Sequence, residues 1–406
     1  MTRIVLFTGK GGVGKSTVAA GTAALAAQAG HRTLVLSTDA AHSLADAFAL
    51  VDAGSEPAEV APGLWMQQVD AQRRFEASWA DIQRYLLSVL DVAGVDPVAA
   101  EELTVLPGAE EVLALLALRE QVLEGAWDVV VVDCAPTAET LRLLALPEAL
   151  GWYMSRVFPA QRRIVRALKP VLTRAAGAPM PDDSVFDALE RLHGELEEVR
   201  QLLSGPEASV RVVLTPEKVV LAEARRAYTT LSLFGYRVDG VVANRVFPSE
   251  GADPWRAGWV AAQAEVLGEV AESFASLPVW RSPYRTGEPV GVPAVREVAE
   301  ELYGGADPVA TPTGRSPLAV RRTRGGASVL RLALPGVDSA DVDLARNGDD
   351  LVVTVGSYRR LLTLPQGLAR LRVAAARVED GELRVRFTEQ DAGTRLEQTV
   401  RSAEGQ

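Results

Sequence analysis

The chain has 406 residues, of which 48% are hydrophobic and 23% charged, and its formal net charge at pH 7 is -11. This length exceeds that of a usual single domain, so we expect one large domain and a smaller one. The acidic balance argues against a general nucleic-acid-binding protein. Because Cys134 is the only cysteine, neither an intrachain disulfide nor a zinc site made of several cysteines can form.

Targeting segments are not expected at the start of the sequence. A strand-like run begins at Arg3, without a basic region, an apolar region and a cleavage site before it. The most apolar runs are interrupted by charge well short of the ~20 residues that span a bilayer. We therefore expect a soluble protein of the reducing cytoplasm.

Through the first 300 or so residues, short β-branched runs alternate with longer stretches rich in alanine and leucine. The runs read RIVLFTG, RTLVLSTD, WDVVVVDCAP, VRVVLTP and VDGVVANRV. This alternation predicts an α/β fold with a doubly wound, mostly parallel sheet and helices on both faces. We assign it to residues 1–303, with helical insertions at about 75–123 and 147–204.

The composition changes after this domain. Residues 304–327 are rich in Gly, Pro, Thr and Ala and predict a linker. Short alternating runs at 328–388, separated by the turn signals NGDD and EDGE, predict a small all-β sandwich. A polar tail is expected at 389–406.

A phosphate-binding pattern follows the first predicted strand directly and opens the first predicted helix. The stretch GKGGVGKST matches G-x-x-x-x-G-K-S, whose glycines let backbone N–H groups converge on phosphate oxygens at a helix N-terminus. Lys15 should reach the β- and γ-phosphates of ATP, and the Ser16 hydroxyl should bind Mg²⁺. The predicted nucleotide-binding residues are Gly9, Lys10, Gly11, Gly12, Val13, Gly14, Lys15, Ser16 and Thr17.

Two aspartates at predicted strand ends complete the expected ATPase chemistry. Asp133 ends an apolar strand, where Mg²⁺ or its water ligands would offset the cost of a buried carboxylate. Asp39 ends another strand at the edge where doubly wound sheets bind ligands, and it could hold the attacking water. A capping or turn role is the alternative for both. We expect His42 to be a loop or packing residue, and Cys134 a small buried filler.

These motifs resemble a known family. KGGVGKST, STDAAHSLADAF, PGAEEVLAL, DCAPTAETLRLLALP and VVANRVFP are similar, in order and spacing, to the arsenite-pump and tail-anchored-protein targeting ATPases. This family belongs to the signature-lysine class of P-loop proteins, and the resemblance covers residues 3–303. It implies catalytic roles for Lys10, Lys15 and Asp39, with Lys10 reaching across a homodimer to the partner's phosphates.

The resemblance implies further site residues. Asp133 would lie in the second switch segment as a magnesium residue, and Asn244 would contact adenine. Glu217 and the segment near Pro278 would line the nucleoside. A second resemblance, of LALPGVDSADVDLARNGDDLVVTVG to α-crystallin or small heat-shock domains, implies a chaperone-like C-terminal domain.

The sequence also departs from the family pattern. Ala40 replaces the usual proline after the first switch aspartate, and Ala138 and Glu139 replace the usual Gly-His of the second switch. With one cysteine, the chain can build neither a two-cysteine zinc site at a dimer interface nor a thiolate site for arsenite. We expect no zinc.

These features predict a Mg²⁺-dependent, homodimeric ATPase that couples its nucleotide state to binding a hydrophobic helical segment of a client protein. The apolar helical insertions would form the client groove. The basic residues Arg162, Arg163, Arg166 and Lys169 would allow at most a transient membrane-surface contact. Two alternatives stay open: an arsenite or antimonite efflux pump ATPase subunit, and a partitioning or positioning ATPase switch.

Overall fold

A computed structural model describes residues 1–38, 43–50, 54–69, 109–135, 137, 183–313, 316–323 and 327–389. Asp39 and His42 lie outside the described residues. So do the departures at Ala40, Ala138 and Glu139, most of the predicted helical insertions with their basic residues, and nearly all of the predicted tail.

The first domain is built on an eight-stranded sheet in the order β3-β4-β2-β5-β1-β6-β7-β8. Every neighbouring pair is parallel except β3 and β4. The central strands are apolar runs buried along their whole length, as expected for a sheet covered on both faces. The predicted α/β fold is confirmed. The strands are β1 (Arg3–Thr8), β2 (Thr33–Ser37), β3 (Ala58–Ala61), β4 (Leu64–Gln68), β5 (Val129–Asp133), β6 (Ala208–Leu214), β7 (Val238–Val246) and β8 (Val279–Pro283).

Seven helices of the described residues accompany this sheet. They are α1 (Lys15–Gln28), α2 (Ser43–Ala47), α3 (Ala109–Leu123), α4 (Asp183–Ser204), α5 (Lys218–Leu233), α6 (Pro254–Ser273) and α7 (Val292–Tyr303). Helices α3 and α4, which belong to the two predicted insertions, contact each other, and an ion pair joins Arg119 to Glu198. Within the described ranges, we find no helix with the length and apolar character to cross a membrane.

The second domain consists of two antiparallel sheets, in the orders β14-β15-β10-β9 and β11-β12-β13. Alternate residues of these strands point inward and form a separate apolar core. The predicted all-β architecture is confirmed. The elements are β9 (Leu318–Arg322), β10 (Ser328–Ala333), β11 (Val342–Asn347), β12 (Asp350–Val355), β13 (Tyr358–Thr363), α8 (Gln366–Ala369), β14 (Arg372–Glu379) and β15 (Glu382–Thr388).

The start of the second domain differs from the prediction. Strand β9 lies inside the predicted linker and pairs with β10 from Leu318 opposite Leu332 to Arg322 opposite Ser328. Its run LAVRR is short and ends in two arginines, so it lacks the apolar alternation that marks the later strands. The pairing with β10 makes it a strand, and this long-range contact is not encoded in the run itself.

The two domains share a packed contact at the C-terminus of α5. Leu233, the last residue of α5, is 0% exposed and belongs to the core of the sandwich. Arg360 of β13, 2% exposed, donates a hydrogen bond to the Leu233 carbonyl, and Thr229 Oγ1 donates to the Pro335 carbonyl at 2.6 Å. A guanidinium at a helix C-terminus is favourable because it neutralises the negative end of the helix dipole. The sandwich is therefore docked on the first domain.

Candidate functional site

The loop between β1 and α1 lies at the carboxyl edge of the large sheet. Gly14 has a φ of 92°, and a Cβ atom at this position would lie 2.3 Å from Asn244 Nδ2. Both the left-handed backbone and the close approach of Asn244 require glycine. Gly9 approaches β6 in the same way, since a Cβ there would lie 2.1 Å from the Val213 carbonyl oxygen. These contacts hold the loop against its neighbouring strands.

Lys15 is the first residue of α1, and only 6% of its surface is exposed. Its Nζ atom donates to the Lys10 carbonyl at 3.4 Å, and no carboxylate of the described residues lies within ion-pair distance. A buried ammonium with a neutral partner is costly unless an anion approaches it. Together with the helix N-terminus, this lysine suits the loop to binding phosphate.

Asp133 is the last residue of β5 and is fully buried. It lies opposite Phe7 of β1 and Ser37 of β2, so it lies next to the strand that leads into the phosphate-binding loop. Thr38, which immediately precedes Asp39, donates its backbone N–H to the Asp133 carbonyl at 3.0 Å. This bond ties the end of β5 to the residue that follows β2.

The donor chemistry of this region fits Mg²⁺. Ser16, in the first turn of α1, offers a hydroxyl, and Asp133 offers a carboxylate at the end of the adjacent strand. Hard divalent cations prefer such oxygen ligands. When bound, Mg²⁺ would neutralise charge on the β- and γ-phosphates.

Cys134 follows Asp133 and is buried, and its backbone N–H donates to the Phe7 carbonyl at 3.1 Å. Burial raises the pKa of the Cys134 thiol far above its ordinary value, and the charge of Asp133 raises it further. The charge of Lys15 acts in the opposite direction, so the thiol lies within reach of both charged groups. A thiol in this environment stays protonated and inert.

Asn244, near the end of β7, is buried against the phosphate-binding loop. Its Nδ2 atom donates to the Val13 carbonyl at 2.8 Å, and this bond determines which way the side-chain amide faces. The structure thus brings Asn244 together with the loop, Lys15 and Asp133 at one edge. Glu217 comes to the same edge, where it precedes α5 and accepts a hydrogen bond from Thr215 Oγ1 at 3.0 Å.

The structure does not bring Pro278 to this edge. Pro278 precedes β8, and its carbonyl accepts a hydrogen bond from the Val241 N–H at 3.0 Å, at the amino end of the strand. Parallel strands all run in one direction, so a residue before a strand lies at the opposite edge from one after it. Pro283, the last residue of β8, lies beside Val246 at the carboxyl edge.

Several residues near Asn244 were not identified from the sequence. Gln263 is buried on α6, and its position relative to the buried Val266, Leu267 and Val270 follows helical spacing. A single amide at helical spacing from apolar residues is a signal from which the sequence could have identified Gln263 as buried. Beside it lies an aromatic cluster in which the Phe247 and Tyr284 rings stack, with centroids 4.9 Å apart. Two further members, Trp255 and Trp259, are exposed.

A mostly parallel sheet, a glycine-rich loop between its first strand and first helix, and a buried lysine at that helix N-terminus define a P-loop nucleotide-binding protein. The model of the family described as anion-transporting ATPase matches residues 2–304. The model of the HSP20-like domain found in ArsA matches residues 325–387. The chain belongs to the anion-transporting ATPase family, and it is an ATPase with an HSP20-like domain.

Curated relatives match nearly the whole chain. A protein of Aquifex aeolicus named as an arsenical pump-driving ATPase is 34% identical, over 94% of this chain and 98% of its own length. Proteins with the same name in Chlorobaculum tepidum and Prosthecochloris vibrioformis are each 36% identical, over 95% of this chain and 96% of their own lengths. The similarity to these relatives therefore spans both domains of this chain.

Proposed function

We propose that the protein is a cytoplasmic, Mg²⁺-dependent, homodimeric ATPase whose nucleotide state controls the binding of hydrophobic client segments. The observation that carries the ATP-binding part is Lys15, a buried ammonium at the N-terminus of α1 whose only partner among the described residues is a carbonyl oxygen. ATP phosphates would supply the missing negative charge, with Ser16 and Asp133 as oxygen donors for Mg²⁺.

The dimer is proposed from the position of Lys10. Its carbonyl accepts the Lys15 hydrogen bond within the loop, whereas its half-buried side chain forms no ion pair with the described residues. A second cation is not needed for phosphate binding within one loop. It can act on the phosphates of a second copy, as an arginine finger supplied in trans does.

The client part rests on the apolar helical insertions. The stretches before α3 and after β5 are rich in apolar residues, whereas most of the α3 run VLALLAL is buried within the domain. Such helices can form a groove for an amphipathic or apolar helix. The HSP20-like domain would add a chaperone surface or protect that groove, and the basic insertion residues would permit a transient membrane contact.

The test is capture of a transmembrane-helix peptide by the full chain with ADP or with a non-hydrolysable ATP analogue. We expect capture to depend on the nucleotide, since the two states would open and close the groove. A scrambled polar peptide of equal length is the control. Equal capture, or no capture, in the two nucleotide states would contradict the client role while leaving the ATPase assignment unaffected.

The second candidate is an arsenite or antimonite efflux pump ATPase subunit, and the names of the relatives favour it. The single, buried Cys134 weighs against a metalloid site made of thiolates within this chain. The discriminating measurement is ATP turnover with and without arsenite or antimonite. We expect no stimulation, whereas a saturable increase would favour the pump.

A further inference from the structure

The last part of β7 contains a bulge beside the phosphate-binding loop. Ala243 pairs with Arg281 and Val246 pairs with Pro283, so one extra residue of β7 lies between two successive pairs. Within this bulge Arg245 has a φ of 59°, the left-handed region that non-glycine residues rarely adopt. Such a conformation is unfavourable on its own and persists only when its surroundings hold it.

The side chain that holds the bulge is Gln263 of α6. Its Nε2 atom donates to the Arg245 carbonyl at 3.1 Å, and its Oε1 atom accepts from the Phe247 N–H at 2.7 Å. Gln263 is only 6% exposed, so water does not easily replace these bonds. A bulge leaves backbone donors and acceptors without their strand partners, and this one amide satisfies the Arg245 carbonyl and the Phe247 N–H, on either side of Val246.

Asn244 is the other residue of this bulge, since Asn244 and Arg245 together lie opposite Ser282. The left-handed backbone conformation of Arg245 affects the orientation of the neighbouring Asn244. The Asn244 Nδ2 atom donates a hydrogen bond to the Val13 carbonyl of the phosphate-binding loop. With one N–H used there, Asn244 retains an N–H donor and the Oδ1 acceptor with respect to the described residues. This pair is complementary to the N7 acceptor and 6-amino donor of adenine.

We propose that Gln263 is a positioning residue for nucleobase specificity: by holding the Arg245 bulge, it aims the Asn244 amide at the 6-position of a purine. This inference rests on the ATP binding of the proposed function, with the adenine contact that the family resemblance implies for Asn244, and adds the residue that makes the contact selective. An isolated asparagine at a strand end rotates freely and discriminates poorly between bases. A side chain anchored by both the loop and the bulge offers its acceptor in one orientation.

The test compares the affinities of the full chain for ATP and ITP, which differ at the 6-position, where inosine carries an oxygen in place of the amino group. Gln263→Met removes both hydrogen bonds, and Gln263→Glu keeps the size and the acceptor but removes the donor. We expect each to reduce the preference for ATP over ITP by about tenfold, the loss of roughly one well-placed hydrogen bond. The exposed Glu272, on the same helix, provides the matched control Glu272→Gln, which should leave the preference unchanged.

A purely structural role for Gln263 gives a different result. It would lower the free energy of unfolding and weaken ATP and ITP equally, so an unchanged affinity ratio in a folded Gln263 variant would overturn the inference. If Gln263→Met does not fold, the isosteric Gln263→Glu provides the measurement.

Asn244→Ala separates this inference from the function on which it rests. If this variant keeps the full preference for ATP, the adenine contact itself is wrong and the inference falls with it. If Asn244→Ala loses the preference and the Gln263 variants keep it, only the inference is wrong. In the double variant Asn244→Ala/Gln263→Met we expect no further loss, because both residues act on one contact.

Discussion

The two edges of the large sheet both bury charged side chains, and they do so in opposite ways. At the amino edge, Arg3 shares the carboxylate of Asp239 with Arg211, which comes from the middle of β6, and the Nη2–Oδ2 distances are 3.1 and 2.8 Å. At the carboxyl edge, the Lys15 ammonium has only the Lys10 carbonyl within the described residues, at 3.4 Å. The guanidinium groups at the amino edge are neutralised by a carboxylate of the chain itself. The ammonium at the carboxyl edge can still pair with an anionic ligand.

Neutral groups complete the amino-edge network. Arg211 donates to Tyr303 Oη at 2.8 Å and to the Pro308 carbonyl at 3.0 Å, and its guanidinium lies 4.6 Å from the centre of the Trp280 ring. Arg3 donates to the Val309 carbonyl at 3.1 Å. These bonds attach the segment after α7 to the sheet, so we expect substitutions here to change stability, and substitutions at the carboxyl edge to change nucleotide chemistry.

The two lysines of the loop should show the largest effects. Lys10→Ala is expected to lower ATP hydrolysis by about 10³-fold while leaving nucleotide binding by the monomer largely intact, since its charge acts in the transition state. Lys15→Ala should weaken ATP binding itself by about 100-fold, through the loss of charge-assisted bonds to phosphate. Turnover and equilibrium binding measure the two effects. Equal losses of affinity in both variants would show that Lys10 acts only within its own subunit.

At the amino edge, Asp239→Ala should lower the free energy of unfolding by about 3–5 kcal/mol, because it leaves two buried guanidinium groups without their carboxylate. Urea denaturation measures this change. Lys15→Met is the matched control at the other edge, and we expect its unfolding free energy to equal or exceed that of the unchanged protein. A comparable loss in both variants would remove the distinction between the edges.

Arg360, at the contact between the two domains, is a third buried guanidinium, and it donates to a neutral carbonyl group. Arg360→Met should lower the free energy of unfolding by about 1–3 kcal/mol, since the Leu233 carbonyl loses a charged donor. The neighbouring Arg359 is exposed, so Arg359→Met should change stability by less than about 0.5 kcal/mol. Denaturation followed by probes in each domain is the measurement. Equal effects of the two substitutions would show that the Arg360 contact contributes little to docking.

The smallest expected effect is the pH dependence caused by Cys134. Its pKa is raised in the folded protein, so its contribution to stability is complete below the pKa of the unfolded thiol and is lost as the pH rises above it. Above about pH 9, the unfolding free energy should fall by up to about 1.4 kcal/mol per pH unit more than in Cys134→Ala. Denaturation at several alkaline pH values tests this. Parallel pH profiles for the two proteins would contradict it.

The local sequence pattern was sufficient to predict those features that depend on residues close together in the chain. The alternation of apolar runs predicted the parallel sheet, and the spacing of Gly9, Gly14 and Lys15 predicted a loop between β1 and α1. Asp133 could be placed at the carboxyl edge because it ends an apolar strand. These features are determined by strand polarity and by the geometry of a single turn.

Long-range pairing decided the remaining features. Strand β9 exists because β10 pairs with it, and Pro278 and Pro283 are assigned to opposite edges by the direction of β8. Gln263 acquires its bonds only when α6 packs against the end of β7, 18 residues from Arg245 in the chain. Leu233 completes the core of a domain whose capping residue, Arg360, lies 127 residues away.

The sequence by itself determined the class of fold and the phosphate-binding loop, since periodicity and turn chemistry act over a few residues. Only the tertiary structure decided which buried polar groups bond to one another and which keep hydrogen-bonding capacity for a ligand. Hydrogen bonds of a buried side chain depend on groups brought together from distant parts of the chain, and no local pattern records them.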